Sequence, residues 1–176
     1  FTLRLPDGRE VASRIKQNPG MHNVANGAAV LTLVDALGLD VEAAAAKLAD
    51  FSGVRRRFDL AGEAAGVTVV DDYAHHPTEI AATINAAKAL DFNRVHVLFQ
   101  PHRYSRAALF TEVMHDEFGA AFDGADTVTF MEVYSAGEAP VPGVTGKTFL
   151  GPVLEHGHPC ARYVPRRIDA VPAMLD

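Results

Sequence analysis

Apolar and polar residues alternate from Phe1 to Leu5 and from Val11 to Lys16, on either side of Pro6-Asp7-Gly8. Period-two alternation around a Pro/Gly turn predicts a β-hairpin. The period then changes. In MHNVANGAAVLTLVDALG, Val24, Ala28, Leu31 and Val34 recur at helical spacing, and Gly38 is a stop signal. Asp40 is placed to cap a second helix through VEAAAAKLAD. This opening part, residues 1–52, reads as the tail of an α/β domain, too little chain for a core of its own.

The pattern shifts at Ser52-Gly53, which predicts a boundary and a second domain over 53–176. There, strands alternate with helices: GVTVVDD, then a helix opened by Pro77; RVHVLFQ, then a helix from Ser105 to Phe122 with Ser105 as cap; ADTVTFMEV, then a short helix over 149–155; ARYV, then a helix to the last residue. Continuous apolar strands alternating with helices predict βαβ units around a mostly parallel sheet, covered on both faces.

Composition narrows the class. The chain has 176 residues, 48% of them hydrophobic and 22% charged, as in an ordinary globular protein. Sixteen basic against 22 acidic residues give a net charge of −6, which argues against a general nucleic-acid or anionic-membrane binder. The lone Cys160 rules out an intrachain disulfide and suits a reducing cytoplasm. No apolar run approaches the roughly 20 residues of a membrane helix, and no signal peptide opens the chain. A first residue other than Met, in strand-like sequence, suggests a piece of a longer polypeptide.

The candidate chemistry sits at strand ends, where parallel sheets bind ligands. Asp71, Asp72, Tyr73, His75 and His76 follow GVTVV; His102, Arg103 and Arg106 follow RVHVLFQ; Glu132, Tyr134, Ser135 and Glu138 follow the third strand. The expectation is three strand ends on one rim. Arg103 and Arg106, three apart at a helix start, suit an anion, because guanidiniums grip carboxylates and phosphates bidentately. Asn23 and Asn26, three apart in a first helical turn, offer paired donors and acceptors of the kind an adenine edge needs, although Asn there is also a common cap.

In this order, PGMHNVANG, GVRRRF, VVDDYAHHPTEI, FQPHRYSR and VYSAGE resemble the Mur ligases of peptidoglycan synthesis, over nearly the whole chain. FQPHRYSR narrows the resemblance to the branch that joins L-alanine to UDP-N-acetylmuramate, rather than the murein-peptide ligases that share the DDxAHHP stretch. The resemblance implies the end of a central ATPase domain followed by a Rossmann-like C-terminal domain, truncated at its end. It also implies that the UDP-binding domain, the phosphate-binding loop and the Mg²⁺ ligands lie outside this chain, so the isolated piece should be inactive. By the same resemblance, Asn23 and Asn26 meet the adenine of ATP, with His22 nearby. Arg57 reaches the phosphates and Asp72 accepts from the ribose hydroxyls. The separation of Arg57 from Asp72 suits a strand, a turn and a returning strand. Tyr73 and His75 lie by the reacting carboxylate, with His75 a candidate base; His102, Arg103 and Arg106 engage alanine's carboxylate; Ser135 is a weaker match.

PGVTGKT looks like a phosphate loop, but Val141 stands where the motif needs Gly, and Gly151-Pro152 should cut short the following helix. A metal-dependent phosphoesterase built on Asp71, Asp72, His75 and His76 is the alternative from another class. His96 and Cys160 read as packed groups, His115 as part of an amphipathic helix, and His156 and His158 as loop residues.

Overall fold

The computed structural model describes residues 1–16, 20–90 and 92–175. Pro19 of the PGMHNVANG stretch and Asp176 of the expected last helix lie outside them. The chain divides into two compact units, Phe1–Tyr73 and Ala74–Asp176.

In the first unit, β1 (Thr2–Arg4) and β2 (Glu10–Ala12) form the expected hairpin, with Leu3 opposite Val11. Gly8, at φ 90°, donates to the Leu5 carbonyl at 3.0 Å and closes the turn. Next come α1 (Met21–Ala36) and α2 (Val41–Asp50). Gly38, at φ 70°, ends α1 where the stop was expected, and the Asp40 carboxylate accepts the Ala43 N–H at 2.9 Å as the cap of α2. Leu5, Val11, Leu31, Val41 and Ala45 make the small core. Gly27 lets α1 pack closely, since a Cβ there would sit 3.0 Å from the Leu48 side chain.

The first unit ends in a second hairpin. Strand β3 (Asp59–Ala64) pairs antiparallel with β4 (Val67–Asp71), with a bulge between Leu60 and Gly62. This corrects the expectation that GVTVVDD belongs to the parallel sheet. Ala65 and Gly66, at φ 50° and 79°, form the two-residue, left-handed turn that suits hairpin twist and returns the chain at once onto 59–64. The apolar run VTVV carries no information about which strand it pairs with. Asp59–Ala64 was hidden because only Leu60 and two alanines in it are apolar. The strand–turn–strand spacing inferred between Arg57 and Asp72 holds.

In the second unit, β5 (His96–Phe99), β6 (Thr127–Phe130) and β7 (Ala161–Tyr163) form a parallel sheet in the order β5-β6-β7. Four helices accompany it: α3 (Pro77–Lys88), α4 (His115–Ala120), α5 (Gly146–Glu155) and α6 (Arg167–Leu175). The expected α/β architecture is therefore present. The central strand is sealed, with Val128, Thr129 and Phe130 all at 0% exposure. Around it Phe99, Phe118, Phe122 and Phe130 meet edge-on or tilted, and burying such rings dominates core energetics.

The helix expected from Ser105 to Phe122 is broken into a 3₁₀ turn at Tyr104–Arg106, a π turn at Leu109–Val113, and α4. Phe110 and Phe118 account for the break. Both are buried, and their rings stack with centroids 5.2 Å apart. In a regular α-helix, residues eight apart point about 80° away from each other; the extra residue of the π turn removes that offset. Nor does Gly151-Pro152 end α5, which starts at Gly146 and runs through Pro152. A Cβ at Gly146 would lie 1.9 Å from the Met131 carbonyl oxygen, so only glycine lets α5 begin against the end of β6.

Two further expectations are corrected. Cys160 is exposed, and His96 is exposed on β5 with Nδ1 2.8 Å from the Thr127 hydroxyl across the sheet. His158, read as a loop residue, is buried and satisfied. Its Nε2 lies 3.1 Å from the Ala125 carbonyl, and its Nδ1 accepts the Cys160 N–H at 3.2 Å, an arrangement only the Nε2–H tautomer allows.

His115 joins α4 to α5: Nδ1 is 3.0 Å from Asp116 and Nε2 3.1 Å from Glu155. The Asp116 hydrogen bond, helped by Glu155, raises the imidazole above its ordinary pKa of 6.5. A raised folded-state pKa adds stability below the unfolded value and loses it as pH rises through the folded value. The gap in melting temperature between the native chain and His115→Gln is therefore expected to be wider near about pH 5.5 than near about pH 8.5. An equal gap at both would show that the tie does not depend on charge. Among the described residues, no helix is long and apolar enough to cross a membrane.

Candidate functional site

Beyond the carboxyl ends of β5 and β6, the chain is stitched into a rim. The Tyr134 N–H donates to the Pro101 carbonyl at 2.8 Å, and the Arg103 N–H donates to the Tyr134 carbonyl at 2.9 Å. His102 and Tyr134 thus form an isolated parallel bridge, and their rings stack with centroids 5.5 Å apart. Arg106 Nη1 lies 3.5 Å from His102 Nδ1. Arg103 Nη1 lies 3.4 Å from the Glu138 carboxylate, which also accepts from the Ser105 N–H at 3.0 Å and the Ser105 hydroxyl at 2.7 Å. Ser105 is therefore not a helix cap; it is bound to the loop after β6.

Three of the rim's residues adopt left-handed backbone: Arg103 at φ 75°, Ala136 at 51° and Gly137 at 86°. For a non-glycine residue this costs about 1–3 kcal/mol and persists only where the surroundings enforce it. The Glu138 N–H closes the Ser135–Glu138 turn onto the Ser135 carbonyl at 3.0 Å. Ser105's two hydrogen bonds are the first cause holding the Glu138 carboxyl below its ordinary pKa, with Arg103 adding to them.

A second group lies at the start of α3. His76 is the N-cap, its Nδ1 accepting the Thr78 N–H at 3.3 Å, and Pro77 is the first helical residue. Glu79 returns to the cap, with Oε2 accepting the His75 N–H at 3.2 Å and the His76 N–H at 3.3 Å, a capping box in which His stands at the Ser/Thr position. The same carboxylate oxygen is 3.4 Å from His75 Nδ1. His75 is partly buried, with its side chain 24% exposed.

In the first unit, the Asp72 carboxylate accepts the Phe58 N–H at 2.7 Å, and the Tyr73 N–H donates to the Arg56 carbonyl at 2.9 Å, so the base of the β3-β4 hairpin is closed. The Arg56 guanidinium lies 4.6 Å from the Tyr73 ring centre. Arg57 falls between Arg56 and Phe58, both left-handed at φ 58° and 50°, which sets its exposed side chain in a tight turn. On α1, His22 Nε2 is 3.0 Å from the Asn23 amide nitrogen, and the Asn26 amide donates to Asn23 Oδ1 at 3.5 Å, so the two amides are bonded to each other.

Glu132 does not join the rim as a binding group. Its carboxylate accepts from the Val133 and Gly146 N–H groups, each at 2.8 Å, and from the Tyr163 hydroxyl. Burial pulls its carboxyl upward, but those three donors outweigh it and hold the pKa below the ordinary range. Burial, with the Glu132 charge, pushes Tyr163 up to about 12. The Gly146 N–H, which a phosphate loop would present to an anion, is thus already occupied by an internal carboxylate.

The sequence placed Tyr134 and Glu138 on this rim with His102, Arg103, Arg106 and Ser135, but not as the groups that brace it. Sequence reasoning missed Glu79, for which the spacing of a capping box was an available signal. Of the three strand ends expected on one rim, the first, that of β4, does not belong to the sheet of β5 and β6. Among the described residues, no group of three or more His, Cys, Asp or Glu could hold a metal ion. Of the four residues of the phosphoesterase alternative, His76 caps a helix, Asp72 closes a hairpin and Asp71 sits 3.7 Å from Arg56.

The family model for the Mur ligase glutamate ligase domain matches residues 56–175. The UDP-N-acetylmuramate–L-alanine ligase of Acidobacterium capsulatum is 45% identical across the whole chain, which spans 40% of that protein. The enzyme of the same name from Rubrobacter xylanophilus is 48% identical over 89% of this chain and 34% of its own length. Among solved structures, the UDP-N-acetylmuramate–alanine ligase of Thermotoga maritima superposes with a TM-score of 0.65 at 33% identity, over 90% of this chain and 32% of that one. A murein peptide ligase from Psychrobacter arcticus, at 22% identity and a TM-score of 0.64, covers 94% of this chain and 32% of its own, a likeness of fold alone. The chain thus spans well under half the length of these relatives, and it belongs to the Mur ligase family.

Proposed function

We propose that this chain is part of an ATP-dependent ligase that joins L-alanine to the lactyl carboxylate of UDP-N-acetylmuramate in peptidoglycan synthesis. Residues 1–52 would be the end of its central domain and 53–176 most of its C-terminal domain. The observation that carries the reading is the basic rim of His102, Arg103 and Arg106 at the end of β5, in a chain 45% identical to such a ligase.

The chemistry proceeds by two displacements. The lactyl carboxylate attacks the γ-phosphorus of ATP, releasing ADP and forming an acyl phosphate. The alanine amine then attacks the acyl carbonyl, and phosphate leaves as the amide forms. Arg103 and Arg106 hold alanine's carboxylate, with His102 braced by Tyr134 beside them and Ser135 in the adjoining turn. His75, steered by Glu79, takes the proton lost by the attacking amine, and Tyr73 lies at the same reacting end. Holding the nucleophile in place supplies several kcal/mol, up to about 7–11 in the best cases.

The donor sets of the first unit fit ATP. The amides of Asn23 and Asn26, neighbours on one turn of α1, carry the donor and acceptor types that an adenine edge needs. Asp72 supplies an acceptor for ribose hydroxyls and Arg57 a cation for phosphate. Mg²⁺, which neutralises the phosphates, would be held by parts of the protein beyond this chain.

Asp72 gives the test. In the full-length protein carrying this chain, Asp72→Asn keeps an acceptor for the Phe58 N–H but loses the charge. The KM for ATP is expected to rise about tenfold, on the scale of 1.4 kcal/mol, with the KM for alanine unchanged. An unchanged ATP KM would leave Asp72 as a hairpin brace and remove the nucleotide role.

A further inference from the structure

We infer that Glu138 is a positioning residue for the amino-acid carboxylate, locking the turn that carries Arg103 and aiming its guanidinium. The inference rests on the reading that Arg103 binds alanine.

Nothing in the local sequence favours the conformation of Arg103. Its φ of 75° is a region L side chains rarely adopt, and the 3₁₀ turn that follows it is only three residues long. Two contacts from the loop after β6 impose it. The Tyr134 carbonyl takes the Arg103 N–H, and the Glu138 carboxylate takes both the N–H and the hydroxyl of Ser105. With Ser105 pinned on one side and Arg103 N on the other, the backbone between them has little freedom.

Glu138 is itself placed by strain. The Ser135–Glu138 turn has positive φ at both central residues, Ala136 and Gly137, the signature of a type I′ turn, and its closing hydrogen bond comes from Glu138. A tight turn of this kind aims one carboxylate back across the rim. That carboxylate meets Arg103 through Nη1 alone, at 3.4 Å, and the Arg103 side chain stays 46% exposed. A guanidinium has five N–H donors in a fixed fork, so one anchored corner orients the rest toward an incoming carboxylate. Glu138 also sets a limit on charge, since an acid beside Arg103 disfavours ligands with more negative charge than one carboxylate carries. This fits a small amino acid better than an acidic one.

The test uses the full-length protein. Glu138→Ala is expected to raise the KM for alanine by about five- to fiftyfold while leaving the KM values for ATP and UDP-N-acetylmuramate within about twofold. Glu138→Gln keeps an acceptor for Ser105 and should fall between Glu138→Ala and wild type. The double variant Arg103→Ala/Glu138→Ala should be no worse for alanine than Arg103→Ala alone, because Glu138 acts through that side chain. Three results would overturn the inference: an unchanged alanine KM in Glu138→Ala when Arg103→Ala raises it, a parallel rise in all three KM values, or additive losses in the double variant. If Arg103→Ala itself leaves alanine binding unchanged, the alanine reading fails, and the role of Glu138 fails with it.

Discussion

Replacing Arg103 with alanine in the full-length protein is expected to lower kcat/KM for alanine by about 10²–10³-fold, through a higher KM and a slower turnover. A charge-assisted hydrogen bond contributes roughly 1.5–3 kcal/mol, and a bidentate grip loses two. Alanine is the right replacement here. Glycine would also relax the left-handed backbone at this position and confound lost grip with lost strain. The Ser105–Glu138 contacts survive the truncation, so the turn keeps its brace. Arg103→Lys should recover only part of the loss, because an ammonium keeps the charge but not the planar fork. Unchanged alanine kinetics in Arg103→Ala would end the assignment.

Removing the imidazole of His75 is the second large effect. His75→Ala is expected to reduce kcat by about 10²–10⁴-fold, the usual contribution of a positioned acid or base, with the KM for ATP little changed. The fold should tolerate it. The cap of α3 is made by the His76 ring and the Glu79 carboxylate, and Glu79 reaches position 75 through its backbone N–H as well as its ring. A helix start that survives separates lost proton transfer from lost structure. Near-normal turnover in a folded His75→Ala protein would assign the proton to another group.

Much of the fold was legible because it follows local rules. The first hairpin, the stop at Gly38, the Asp40 cap, Pro77 at the head of α3 and the alternation of β5, β6 and β7 with helices all depend on neighbours a few residues away. What failed depends on distant partners. The apolar run of β4 could not declare that it pairs with Asp59–Ala64 rather than with the parallel sheet. The π turn at Leu109–Val113 exists so that Phe110 and Phe118 can both reach one core, a demand invisible to a helical pattern. The site divides in the same way. Arg103 and Arg106 stood out as charges at a strand end, whereas the carboxylate that steers Arg103 lies 35 residues further on and is aimed by a strained turn. Glu132 and Glu138 read alike in sequence. In the structure one is consumed by Gly146, Val133 and Tyr163, and the other is half of a clamp.

The two units also divide the proposed chemistry. Asn23, Asn26, Arg57 and Asp72, proposed for the nucleotide, lie in the first together with Tyr73, its last residue and proposed for the reacting end, and His75, His102, Arg103, Arg106 and Ser135, proposed for the amino-acid step, lie in the second. The claim common to all of these is that this chain supplies the alanine-selecting end of an amide-forming ligase. The direct measurement is ADP release by the full-length protein carrying it, supplied with ATP, Mg²⁺ and UDP-N-acetylmuramate, with the amino acid varied. The account predicts ADP release that depends on alanine, with one UDP-N-acetylmuramoyl-alanine formed per ADP. ADP release that ignores alanine, or that responds instead to a peptide, would contradict it.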